Sequence, residues 1–272
     1  MSMKIAFLGG GNMANAFLGG LRAKGFAASD ISIIEKFPEA RAKLVAAYGV
    51  HASAEADAET ASADTLVLAV KPQDMKAALA PLAAIAKGKL VISIAAGLRI
   101  ATLSRWLGGH GRIVRCMPNT PALIGAGITG LYAPPGVSED ERARAARILG
   151  AVGECVWVAD ETLLDPVTAV SGSGPAYVFW FMEQMAKAGE SMGLAPEAAR
   201  ALALHTVLGA AKLAAGSDEP PSVLRERVTS KGGTTAAALQ VIADEGMAER
   251  LARAMRAASD RGTELGDQLD RD

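Results

Sequence analysis

Lys4-Ile5-Ala6-Phe7-Leu8 ends in an apolar run, Gly9-Gly10-Gly11-Asn12-Met13-Ala14 interrupts it, and Phe17, Leu18 and Leu21 return at helical spacing. That order predicts a strand, a glycine turn and a helix. Further apolar runs at Ile31 to Ile34, Thr65 to Val70, Leu90 to Ala95 and Arg112 to Cys116 predict strands. Between them, 3.6-residue patterns predict helices over Pro38 to Tyr48, Gln73 to Lys87 and Ile100 to Leu107. Pro38 suits a first helical turn and Gly49 a stop. A strand over Ile128 to Tyr132, a helix over Ser138 to Leu149 and a strand over Cys155 to Val158 complete this region. Strands alternating with helices imply a parallel sheet wound by right-handed crossovers.

From about Thr162 onward the rhythm is helical only, broken at Gly193-Leu194-Ala195-Pro196, Gly216 to Pro221 and Lys231-Gly232-Gly233. The chain therefore divides into an α/β domain over residues 1–160 and an all-helical domain over residues 161–272. Pro175 to Met182 is apolar almost all round, as is Ala198 to Leu213 apart from Arg200, His205, Thr206 and Lys212. Helices apolar on every side need a cover. A membrane span needs about 20 mostly apolar residues and poorly accepts Arg200 and Lys212, so a core shared between subunits is expected instead. Tyr177, Phe179, Trp180 and Phe181 are then packing residues. The polar end, Asp260 to Asp272, is expected to fray.

The glycine turn carries the first chemistry. Gly9, Gly11 and Ala14 stand where a Rossmann unit needs a tight turn, close approach to a pyrophosphate and close helix-strand packing. Gly9, Gly10, Gly11, Asn12 and Met13 are the expected cofactor-binding residues here, with the anion on the free N–H groups at the helix start, where the dipole also favours negative charge. Glu35 and Lys36 follow the second strand, at the ribose position, and argue in opposite directions. An acid there favours a 2′-hydroxyl and NADH, whereas a cation welcomes the 2′-phosphate of NADPH. Solvated turn ends would look the same. The other strand ends expected on this edge are Ala69-Val70-Lys71-Pro72, Ala95-Ala96-Gly97 and Met117-Pro118-Asn119-Thr120-Pro121. Small residues at Ala95 and Ala96 leave room for a flat ring, and Asn119 can meet a carboxamide or a backbone group.

Composition narrows the class. Half of the 272 residues are hydrophobic, 21% are charged and the formal net charge is −1, which describes a globular protein with no basic stripe for nucleic acid or a membrane surface. With the first strand at Lys4, no room is left for a targeting peptide, and a cytoplasmic location is expected. Cys116, Cys155, His51, His110 and His205 are scattered singly, so no metal site is expected.

Val228-Thr229-Ser230-Lys231-Gly232-Gly233-Thr234-Thr235 places two glycines before threonines that can cap a helix. Such a nest of N–H groups and hydroxyls holds a carboxylate, although spacing alone describes no more than a capped helix start. The stretch Pro221 to Thr235 resembles the signature of the pyrroline-5-carboxylate reductases. So do Phe7 to Met13, Ala69 to Pro72, Ser93 to Gly97, Met117 to Pro121 and Ser171-Gly172-Ser173-Gly174-Pro175-Ala176-Tyr177, in the same order. The resemblance implies a Rossmann domain that binds NADPH or NADH, and a helical domain interlocked in a homodimer, often within a ring of dimers. It implies reduction of a cyclic imine to proline. Gly233, Thr234 and Thr235 are then assigned to the carboxylate and ring nitrogen, with Thr235 donating to that nitrogen. Ser230 and Gly232 are expected to bind substrate from the same turn, and by resemblance Glu161 and Arg227 line the pocket. Surface ion pairs would explain those two nearly as well. Lys231, Arg227 and Ala56 depart from residues common among relatives.

Two other readings compete. A β-hydroxyacid dehydrogenase would place a lysine on the first long helix of the second domain with an asparagine one turn later, whereas here Lys187 lies near the far end of that helix and Ser191 replaces any asparagine. A non-catalytic dinucleotide-binding protein is the other.

Overall fold

The computed structural model describes residues 3–271, which divide into two compact units. One holds the chain up to Ser173 together with the residues from Ala258 onward, and the other is Gly174–Ala257. The expected boundary at residue 160 lies short of this one.

The first unit is built on β1 (Ile5–Leu8), β2 (Ile31–Ile34), β3 (His51–Ser53), β4 (Thr65–Leu68), β5 (Leu90–Ser93), β6 (Ile113–Met117), β7 (Gly127–Tyr132) and β8 (Gly153–Trp157). Their order across the sheet is β3-β2-β1-β4-β5-β6-β7-β8 among the described residues. The strand order reverses beside β1, whose neighbours are β2 and β4, and this is where doubly wound sheets bind ligands. Burial follows the two-residue period of a strand. Ile5, Phe7, Ile31 and Ile33 join one core on one face, while Ala6, Leu8, Leu66 and Leu68 join a separate core on the other. Helices α1 (Asn12–Ala23) and α2 (Pro38–Tyr48) send Phe17, Leu18, Leu21 and Leu44 into the first core.

The one-turn helix α3 (Ala58–Ala61) precedes β4, and α4 (Pro72–Leu79) and α5 (Ala83–Ala86) follow it. A single helix over residues 73–87 is expected from the pattern, but a 3-10 turn at Ala80–Leu82 interrupts it, because Pro81 supplies no N–H to an α-helical ladder. Helices α6 (Ile100–Trp106), α7 (Glu139–Leu149) and α8 (Leu164–Val167) follow in this part.

Pairing is parallel through β6, as expected. At β7 it reverses: Arg115 lies opposite Tyr132 and Cys116 opposite Leu131 in antiparallel register. Residues 118–126 are too few for the helical crossover that a parallel return requires.

The second unit comprises α9 (Gly174–Ser191), α10 (Pro196–Ala215), α11 (Pro221–Arg227), α12 (Thr234–Asp244) and the residues of α13 (Met247–Asp270) up to Ala257. Small residues let α9 and α10 approach. A Cβ added at Gly189 would stand 3.3 Å from that of Ala199, and Ala186, Ala199 and Ala203 are the buried seam. Large apolar residues of these helices, among them Phe179, Trp180, Phe181, Leu204 and Leu208, are exposed on the single chain.

The polar C-terminal stretch does not fray. It stays helical to Asp270, and its charges have partners in the first unit. Arg99 donates to Asp267 and to Asp270, each at 2.6 Å, and Thr263 Oγ1 donates to Asp165 Oδ2 at 3.0 Å. The bond to Asp267, working against partial burial and helped by Asp270, raises the affinity of Arg99 for its proton above the ordinary value.

Candidate functional site

The turn after β1 is shaped by what surrounds it. Gly9 has φ +98°, a region costly for any side chain, and donates its N–H to Ile34 O at 2.8 Å. A Cβ there would stand 2.7 Å from Val70 Cγ1 and 2.9 Å from Ala69 O, so the end of β4 closes over the turn. Above Gly11 nothing lies within 4 Å. Gly11 is also the N-cap of α1, which has no side-chain cap, so the first N–H groups of α1, from Asn12 and Met13 on, have neither an intrahelical nor a side-chain acceptor. Ala14 is fully buried in the first core. These features suit a pyrophosphate: an open space, a helix start and backbone donors.

Glu35 is turned onto this same turn. Its Oε2 accepts from Gly10 N at 2.8 Å and its Oε1 from Phe37 N at 2.9 Å. Lys36 extends over the Phe37 ring, 5.0 Å from its centroid. Arg41, on the first turns of α2, donates through Nη1 to Glu35 O at 2.7 Å and to Lys36 O at 3.0 Å. The pattern of residues gave no reason to single out Arg41. Its reach back to the end of β2 is a matter of helix placement.

The other strand ends lie where expected. The parallel pairing of β1, β4, β5 and β6 brings Leu8, Leu68, Ser93 and Met117 to one sheet edge. Ala69 N donates to Leu8 O at 2.8 Å, Lys71 is the exposed N-cap of α4 and Pro72 its first residue. Ala95 is buried and Ala96 exposed. Asn119 spends its side chain on the backbone, accepting from Ile128 N at 3.0 Å and so tying the Thr120–Ile124 turn to β7. Burial pushes the Cys116 thiol up, which leaves it protonated.

Glu161 belongs to the first unit, where its Oε1 accepts from Ile100 N at 2.8 Å and Arg115 Nη1 at 3.1 Å. Arg115, almost wholly buried, also faces Asp165 at 3.6 Å. With Arg99, Thr162, Ser259 and Thr263 these residues line a cavity of about 290 Å³. Arg115 and Asp165 escaped sequence reasoning. The available signal was a lone cation inside the apolar run Ile113-Val114-Arg115-Cys116.

In the second unit, Gly232 has φ +72° and Gly233 is the N-cap of α12. Gly233 N donates to Ser230 O at 3.0 Å, and a Cβ at Gly233 would collide with Ser230 Oγ. The left-handed φ favours glycine at Gly232, while at Gly233 the extended backbone leaves only the Ser230 hydroxyl in the way of a side chain. Thr234 and Thr235 sit inside the first turn, so they do not cap the helix as their order suggests. Without a side-chain cap, the N–H groups of this first turn stay available, and neither threonine hydroxyl has a partner among the described residues. Arg227 is exposed and forms a two-point ion pair with Glu219, at 2.5 and 2.6 Å.

The protein of Pseudomonas aeruginosa named pyrroline-5-carboxylate reductase is 48% identical over 270 residues, covering 98% of each chain. This chain belongs to the pyrroline-5-carboxylate reductase family. Residues 161–265 match the family model described as pyrroline-5-carboxylate reductase dimerisation. Residues 4–97 match one described as NADP oxidoreductase, coenzyme F420-dependent, which covers the glycine turn and the ends of β2 and β4. Among solved structures, the pyrroline-5-carboxylate reductase of Coxiella burnetii superposes with a TM-score of 0.94 at 39% identity, over 97% of this chain and 99% of its own. That of Plasmodium falciparum, solved with NADP bound, gives 0.82 at 28% identity over 97% and 98%. The reductase family's dimerisation match falls on the helices whose apolar faces the single chain leaves exposed, and the protein is a homo-oligomer. Among the described residues no helix is long and apolar enough to cross a membrane.

Proposed function

We propose that this protein reduces the C=N bond of 1-pyrroline-5-carboxylate to L-proline with NADPH or NADH. The observation that carries the reading is the uncapped entry to α12, Gly233-Thr234-Thr235, in a chain whose relatives are named for this reaction. When bound, the reduced nicotinamide supplies the hydride. The glycine turn and the bare start of α1 hold the dinucleotide's pyrophosphate, and the ends of β4, β5 and β6 border the dinucleotide.

The substrate carries a carboxylate and a ring nitrogen. The N–H groups at the start of α12 suit the carboxylate, where the helix dipole also favours negative charge. Ser230, Gly232 and Gly233 keep the turn in shape, and the free hydroxyls of Thr234 and Thr235 complete the polar lining. A cyclic imine is basic enough to be protonated near neutrality, so no strong acid is needed beside it. Thr235 bonds the ring nitrogen and orients the C=N carbon, which is catalysis by position and electrostatics. Glu161 and Arg227 are proposed as further pocket residues from the family resemblance, and each is ion-paired within its own unit, Glu161 with Arg115 and Arg227 with Glu219. The active assembly is a homodimer within a ring of dimers, working in the cytoplasm, and NADPH is preferred with NADH accepted.

A spectrophotometric assay tests this. Oxidation of reduced nicotinamide should depend on pyrroline carboxylate; dependence on a hydroxy acid instead, or binding without turnover, sinks the proposal. In the same assay Thr235→Ala should lower kcat/KM by about tenfold, the value of one net hydrogen bond in the transition state. An unchanged kcat/KM removes Thr235 from the mechanism.

A further inference from the structure

We infer that Arg41 is the residue that recognises the 2′-phosphate of NADPH and sets the nucleotide preference. The inference rests on the dinucleotide reading above and goes beyond it by assigning the phosphate to one side chain.

Three observations at the carboxyl end of β2 carry it. First, Glu35 does not stand free at the ribose position. Each carboxylate oxygen already accepts a backbone N–H, from Gly10 at 2.8 Å and Phe37 at 2.9 Å, so its charge is directed onto the glycine turn and partly satisfied there. A carboxylate used in this way is a weaker partner for a ribose diol and repels a phosphate less. Second, Lys36, the other candidate, is exposed and lies over the Phe37 ring. It is a flexible point charge with no fixed geometry towards a phosphate.

Third, Arg41 is held in place. Both of its hydrogen bonds leave from Nη1 and run to the carbonyls of Glu35 and Lys36, the two residues that follow β2. In a doubly wound sheet the adenosine ribose lies at this strand end. The guanidinium retains N–H groups on Nη2 and Nε, in the planar fork that pairs with phosphate oxygens two at a time. A cation already positioned by the backbone loses little side-chain freedom on binding, which is where arginine exceeds lysine. Arg41 is only half-buried, so a phosphate can reach it. Exposed Glu39, on the same helix, adds a screened opposing charge.

NADP⁺ and NAD⁺ differ only by the 2′-phosphate, so calorimetric titration of the whole protein with each isolates this contact without turnover. Wild type should bind NADP⁺ about tenfold or more tighter than NAD⁺, the yield of a charge-assisted hydrogen bond. Arg41→Gln should abolish that preference while leaving the NAD⁺ affinity, which reports an intact fold, unchanged. Arg41→Lys should retain part of it. If Arg41→Gln keeps the preference, or loses both nucleotides equally, Arg41 does not read the phosphate. If wild type binds both equally, this inference fails and the dinucleotide reading stands; if it binds neither, that reading fails as well.

Discussion

The two units treat their large apolar side chains in opposite ways. In the sheet unit Phe7, Phe17, Leu18 and Leu21 are fully enclosed by the chain itself, in cores on both faces of the sheet. In the helical unit the buried hydrophobic seam is Ala186, Ala199 and Ala203, while Phe179 and Trp180 are 66% and 56% exposed. The difference is one of completeness. A sheet covered by its own crossover helices closes its core locally, whereas α9 and α10 carry more apolar surface than their small-residue seam can hide. That surface calls for a cover, and the dimerisation match falls on the same residues.

The sharpest way to break this contrast is to open the closed core. Phe17→Ala removes a fully buried ring from α1 and should cost about 3–5 kcal/mol of stability. Denaturant unfolding read at several protein concentrations should show the same loss at each. A loss that grows on dilution would mean that the sheet unit also leans on its partner. The complementary change is Trp180→Ala in the open unit. If Trp180 is buried against the second copy, the subunit dissociation constant should rise about thirtyfold, the effect of truncating a central aromatic. Light scattering across a dilution series reads it. An unmoved dissociation curve would put Trp180 outside the interface.

What could be read from the chain follows the same division. The central strands β1, β2, β4 and β5 are legible because they are buried at every residue, so each reads as a mostly apolar run; Ile31 to Ile34 begins and ends where β2 does. The glycine turn is legible because only glycine tolerates the φ of Gly9 under the end of β4. Strand β3 is not, since His51-Ala52-Ser53 is a short polar edge held by its pairing to β2. The antiparallel turn at β7 depends on connection length and not on composition. The last helix misleads because Asp267 and Asp270 look like solvated charges until Arg99, distant in sequence, is placed against them. At the candidate site, Gly232, Gly233 and the threonines follow from local order. The use of Glu35 on Gly10 and of Arg41 on the end of β2 does not, because both are contacts across the fold.

The smallest effect expected is at the start of α7, and it tests whether the sheet unit holds its own charges without help from the partner. Ser138 Oγ accepts from Glu141 N at 3.3 Å, and Glu141 Oε2 reaches back to Ser138 N at 2.9 Å, a reciprocal cap. Glu141 also pairs with Arg112. Burial opposes the charge on Glu141, but the Ser138 N–H, the Ser138 hydroxyl and Arg112 outweigh it and hold the carboxyl below its ordinary value. A depressed carboxylate stabilises the folded state fully above its unfolded value, and that contribution is lost as the pH falls through the folded one. Glu141→Gln keeps the shape and removes the charge, so it should cost about 1 kcal/mol near neutrality. As the wild-type carboxyl protonates in acid, the gap between the two proteins should close. Thermal unfolding of both from neutral pH down into the carboxylate range measures this, at two protein concentrations. A gap that persists in acid would show that Glu141 acts through packing and not through its charge. A gap that depends on concentration would show that this corner of the sheet unit, too, is completed by the partner.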